Sequence, residues 1–122
     1  MSLINFEEQT APLSDYEREV LLPLFVRGLR TKIGKDQSIT SKEIISALTK
    51  TGHKVNGARV RKIINHIRIN GIIRNLIATS NGYHISKCPE EIARYRESLV
   101  QRASSIMALV DSFDEKIVHL NQ

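Results

Sequence analysis

Four histidines, one cysteine and a few paired acids are the residues of this chain whose types could do catalytic or metal chemistry. His53, His66, His84 and His119 have no ligand spacing among themselves or with Cys88. A zinc site needs three or four donors converging on a tetrahedron, which a sequence announces as close-set pairs. No glycine-rich phosphate loop, nucleophile elbow or paired-acid motif occurs. Glu90 with Glu91, and Asp111 with Asp114 and Glu115, fall where helix ends and solvated faces carry charge. Cys88 stands just before a helix start and reads as an incidental thiol. The expectation is a protein that is not an enzyme, with no cofactor, no metal and no small-molecule ligand.

The residues that could instead bind a polyanion lie between Asn56 and Gly71, in NGARVRKIINHIRING. Val60, Ile63, Ile64 and Ile67 share one helical stripe, and basic and amide side chains fill the rest of the cylinder. With Val60, Ile64 and Ile67 turned inward, the outer arc at 100° per residue runs through Ala58, Arg61, Lys62, Asn65 and Ile69. Arg59, His66 and Arg68 stand on its shoulders. Lys62 and Asn65 are placed to reach base edges, lysine toward guanine acceptors and asparagine toward adenine. Arg59, Arg61 and Arg68 suit phosphates, whose contacts supply affinity and salt dependence without sequence choice. His66 reads as a surface histidine within reach of the same partner. On this reading Lys62→Ala weakens binding and leaves the fold intact. Ile69 fits least well, because an apolar side chain on that arc suits packing under the start of the hairpin or a protein neighbour.

Helix ends elsewhere are spelled out by caps and stops. Ser14 with Glu17 forms a capping box, so a first helix starts there, with Val20, Leu21, Leu24, Phe25 and Leu29 at helical spacing. Pro23 lacks an amide and clashes with the preceding turn, so this helix must kink or restart near it. Gln37 to Thr40 suits a brief strand. Thr40 with Glu43 makes a second box ahead of Ile44, Ile45 and Leu48, and Gly52 ends that helix. His53 to Val55 is a turn and Asn56 caps the basic helix.

After Gly71 the apolar period shifts toward two. Asn81-Gly82 carries the residues a type I′ turn needs, which pairs Ser80 with Tyr83 and Ala78 with Ile85. Leu76, Ala78, Tyr83 and Ile85 then share the face that covers the core, and Ile77, Thr79, His84 and Ser86 the other. Ser80 and Asn81 sit at the tip as candidate contacts to a backbone or minor groove, but the tip carries no basic residue, so Arg74 and Lys87 at the base must supply any charge there.

Pro89, Glu90 and Glu91 open a last helix that meets no breaker before the chain ends. From Pro89 to about His119 it would run about 45 Å. Ile92, Leu99, Ile106, Phe113 and Leu120 recur every seven residues, with Tyr95 and Leu109 between them. Arg102 and Lys116 interrupt that seam, and Val110 and Ile117 widen it. The segments are therefore 1–13, lying free or against another element through Leu3, Ile4 and Phe6; 14–87, the compact domain; and 88–122, a long helix that either serves as a dimerisation element or breaks and folds back over the first helix and the hairpin.

The 122 residues carry a net charge of +5, but the charge is segregated. Residues 1–26 hold one basic and five acidic side chains, residues 27–74 twelve basic and two acidic, and residues 75–122 five basic and six acidic. A basic block of this kind is what a polyanion-binding surface requires. One cysteine allows no internal disulfide, and no leader or run of about 18 apolar residues is present, so a reducing cytoplasm without membrane attachment is expected.

The order of these elements resembles the winged helix-turn-helix superfamily. More narrowly, VRKIINHIRINGI, then IATSNGYHIS, an acidic helix start and SLVQRASSI are similar to small prophage-encoded winged-helix proteins. There an "LVNxLRxxG" helix precedes a "GYxxA" or "GYYI" hairpin and an "SLxxRA" helix. Ile63 to Gly71, Gly82 to Ile85 and Ser98 to Ala103 carry the match, which spans about Ser38 to Ile106. The resemblance implies a phage or mobile-element DNA-binding protein of regulation, such as transcription regulation, or of replication; it brings no base-reading residues with it. The expected fold class is mainly α with a small β-hairpin, a winged helix-turn-helix followed by a long C-terminal helix. The expected partners are double-stranded DNA, through Arg59, Arg61, Lys62, Asn65, His66, Arg68, Arg74 and Asn81, and a second copy joined through the last helix to give a homodimer. The alternative is a protein-interaction adaptor that uses the same scaffold, with Ile69, the Ile77 face of the hairpin and the long helix as its contacts.

Overall fold

The computed structural model describes residues 11–120, and their contacts divide the chain into two units, Met1–Lys87 and Cys88–Gln122. The architecture is mainly helical, with a small antiparallel hairpin and a long C-terminal helix. Leu3, Ile4 and Phe6 lie outside the described residues, as do the side chains of Lys116, Ile117, His119 and Leu120.

Helix α1 spans residues 15–29 and begins at the expected box. The Ser14 amide donates to Glu17 Oε1 at 2.8 Å, and the Glu17 amide donates to Ser14 Oγ at 3.2 Å. Pro23 neither stops nor restarts it. The turn before the proline, Glu17–Leu21, is wound as a π-helix, with the Leu22 amide bonded to the Glu17 carbonyl, and Leu22–Leu29 continues as α-helix. A wider turn leaves room for the pyrrolidine ring and spares the amide that proline lacks. Leu21, Phe25 and Leu29 on this helix are buried.

Helices α2 (Ser41–Lys50) and α3 (Gly57–Ile69) follow. Thr40 and Glu43 complete the reciprocal box on α2, and the Asn56 side chain accepts the Arg59 amide at 2.8 Å to cap α3. Both helices end in the same way. Gly52 and Gly71 take positive φ, and the next residues, His53 and Ile72, donate back to Leu48 and Ile67 at 3.0 Å each. Val60, Ile63, Ile64 and Ile67 of α3 meet the α1 residues and Ile44 of α2 in one core, which Ile73 and Leu76 extend.

The hairpin joins β1 (Leu76–Thr79) to β2 (Gly82–Ile85), but not in the expected register. Thr79 pairs with Gly82, Ala78 with Tyr83 and Leu76 with Ile85, so the loop is Ser80-Asn81. Neither loop residue has the positive φ of a type I′ turn; it falls on Gly82, at +113°. The reason lies outside the hairpin. Ile39 forms an antiparallel bridge with Tyr83, its amide 3.0 Å from the Tyr83 carbonyl and its carbonyl 2.8 Å from the Tyr83 amide. A Cβ at position 82 would stand 2.6 Å from the Ile39 carbonyl carbon and 2.9 Å from the Thr40 nitrogen. Glycine is thus required there by a third backbone, and the brief strand expected at Gln37 to Thr40 is this single bridge beside a 3-10 turn at Lys35–Gln37.

A displacement of two residues leaves every side chain on its expected face. Covering differs, however. The Ile77 face is buried as well, with Ile77 at 3%, His84 at 0% and Ser86 at 2% exposure, so it offers no adaptor surface. The Ser38 hydroxyl lies 3.3 Å from His84 Nδ1.

The second unit contains helix α4, Pro89–Leu120. The Ile92 amide bonds the Cys88 carbonyl at 3.1 Å, and Glu90 and Glu91 occupy its first turn, where the dipole favours them.

Candidate nucleic-acid interface

The α3 side chains do not all point where a free helix would send them. Lys62, on the arc opposite the core, has its side chain only 11% exposed, and its Nζ lies 2.7 Å from Glu17 Oε1. Arg59 places Nε 2.9 Å from the other oxygen, Glu17 Oε2. Arg59 also donates from Nη1 to the Lys54 carbonyl at 2.9 Å and stands 5.5 Å over the Tyr16 ring. Tyr16 in turn shares a 2.7 Å hydrogen bond with His53 Nδ1. The start of α1 is thereby tied to the turn between α2 and α3 and to the first half of α3. The outward orientation expected of Lys62 and Arg59 is corrected: both are turned to a buried carboxylate.

Glu17 is the centre of this arrangement, at 3% exposure. Burial pushes its carboxyl pKa up, but the Lys62 ammonium, the Ser14 amide and the Arg59 guanidinium outweigh that and hold it at about 2. The glutamate thus does two jobs, closing a capping box and accepting two charged donors from α3. Sequence reasoning saw only the first, because Ser14 is three residues away and the donors are 42 and 45 away. The available signal was the acidic excess of residues 1–26 facing the basic block that follows.

The remaining candidates divide by side. Ala11, Pro12 and Leu13 border a shallow groove whose other wall is Lys62, Asn65, His66, Ile69 and Asn70, so the chain's own segment flanks that part of α3. His66 is half-buried, and its carbonyl accepts Asn70 Nδ2 at 2.9 Å. Ile69 is 83% exposed, on the arc where the periodicity places it. Away from that groove Arg61 and Arg68 are half-buried, as is Asn65 at its edge. The Arg61 guanidinium reaches back along the helix, with Nη1 3.3 Å from where a Cβ on Gly57 would sit. Arg74, after α3, and Asn81, at the hairpin tip, are exposed, and the Asn81 amide bonds Thr79 Oγ1 at 3.1 Å. Ala58, expected on the outer arc, is buried at 6%.

No protein-family model matches the chain, and no curated protein or solved structure matches it significantly. No helix among the described residues is long and apolar enough to cross a membrane.

Proposed function

We propose that this chain is a cytoplasmic, non-enzymatic double-stranded DNA-binding protein of the winged helix-turn-helix type, from a phage or mobile element, acting in regulation or replication. The observation that carries the proposal is the side of α3 turned away from the core and bounded at Asn65 by the groove beside Ala11–Leu13. At 100° per residue Arg61, Asn65 and Arg68 fall within about 60° of one another. Lys54, in the turn before α3, and Arg74, after it, are exposed and have no carboxylate within ion-pair distance among the described residues. Asn65 would read a base edge from the major groove, and Arg61, Arg68, Lys54 and Arg74 would hold phosphates. Arg59 and Lys62 keep α3 in place from the opposite side, and Asn81 is left to a minor backbone contact. Association of copies through α4 would bring more than one α3 helix to the same duplex.

Fluorescence anisotropy of a labelled duplex across a salt series tests this reading. The affinity should fall steeply between about 50 and 200 mM salt, and Arg61→Ala should weaken it by about fivefold and flatten the salt slope. No binding at low salt, or binding indifferent to salt, would end it. The adaptor reading keeps one observation in its favour, the exposure of Ile69. Co-purification of a protein partner whose binding Ile69→Ser abolishes, with no DNA affinity, would favour it.

A further inference from the structure

The middle of α4 displays apolar surface of an unusual width. Leu99, Ile106, Val110 and Phe113 are 41–62% exposed and fall within about 60° of arc on a helix of 3.6 residues per turn. They make a seam with Ala103 between them. In heptad terms Leu99, Ile106 and Phe113 take the d position and Ala103 and Val110 the a position, beginning one turn after Arg96. Arg102 then lies beside the seam, not in it, which removes the interruption that a register through Tyr95 and Leu109 implies.

The shoulders decide the number of partners. In a two-stranded coil the e and g positions flank the seam and carry charge. Here Val100 and Met107 occupy e and Leu109 occupies g, and each is 44–59% exposed. The arc from Leu109 to Val100 subtends about 180° at 100° per residue, interrupted by Arg102 near its Leu109 edge, and is wider than one neighbouring helix covers. At an order of 100 Å² each, these seven side chains expose several hundred Å² per chain, close to the roughly 800 Å² per partner of a stable interface.

We infer that α4 assembles with α4 helices of other copies of this chain into a bundle of more than two strands. A copy is the fitting occupant because a strip with a seven-residue repeat matches another strip with the same repeat. Charge agrees with a cyclic arrangement. Arg102 lies on the Leu109 shoulder, whereas Glu97 and Asp111 lie outside the Val100 and Met107 shoulder, so a helix set shoulder to shoulder with the next brings unlike charges to the rim.

Sedimentation equilibrium on the full chain at about 20 and 200 µM is the test. The expected mass is three or four times the 13.8 kDa of one chain. The triple change Val100→Gln, Met107→Gln, Leu109→Gln should reduce it to two, with helical circular dichroism retained, and Ile106→Asp should reduce it to one. A wild-type mass of one or two chains at both concentrations overturns the inference, whatever the variants do.

Discussion

Glu17 concentrates more consequence than any other side chain. Its carboxyl is nearly out of water and satisfied by two cations and an amide, so removing its charge leaves Lys62 and Arg59 without their counter-charge. Glu17→Gln should lower the unfolding free energy by about 3 kcal/mol in urea melts at neutral pH. The pH dependence follows from the depressed pKa. The contribution is fully present above the ordinary carboxyl value of 4.5 and is lost as pH falls toward about 2. The wild type should therefore lose stability across that window, and the glutamine variant should lose distinctly less. Lys62→Ala belongs with it. This variant should unfold earlier in the same melts, because a buried carboxylate loses one of its two cations, so it does not isolate a DNA contact; Arg61→Ala does.

At the scale of elements, what was legible in the sequence is what local chemistry fixes. Thr40 with Glu43, Asn56, Gly52 and Gly71 mark helix ends through bonds that reach three to five residues, so their types and spacing suffice. The hairpin register was not legible, because Ile39 is more than forty residues from Gly82 and nothing near Asn81 reveals its approach. The site divided along the same line. The basic block and the amphipathic period of α3 could be read, whereas the pairing of Lys62 and Arg59 with Glu17 is tertiary. Gly82→Ala tests the third-strand account. It sets a methyl against the Ile39 backbone at a positive φ and should destabilise the protein by at least about 2 kcal/mol, with loss of amide protection at Ile39 and Tyr83. A change below about 0.5 kcal/mol would show that the bridge gives way freely.

For the whole molecule, the DNA reading and the bundle make a joint prediction. Several α3 helices on one assembly bind with an effective concentration that a single chain lacks. Ile106→Asp, which leaves α3 untouched, should weaken binding to a duplex holding two sites by about tenfold or more in anisotropy titrations. Affinity for a duplex of one site should hardly change. Equal affinities of wild type and variant for the longer duplex would mean that self-association and DNA binding are separate properties.

The Ile39 bridge has a mechanical consequence. Ile39 is clasped by two hydrogen bonds to Tyr83, and the next residue, Thr40, is the cap of α2. A load applied at the hairpin tip therefore passes through one peptide unit into the first turn of α2, without crossing a flexible linker. Hairpin and helix pair should yield together, as a single lever whose fulcrum is the bare Cα of Gly82.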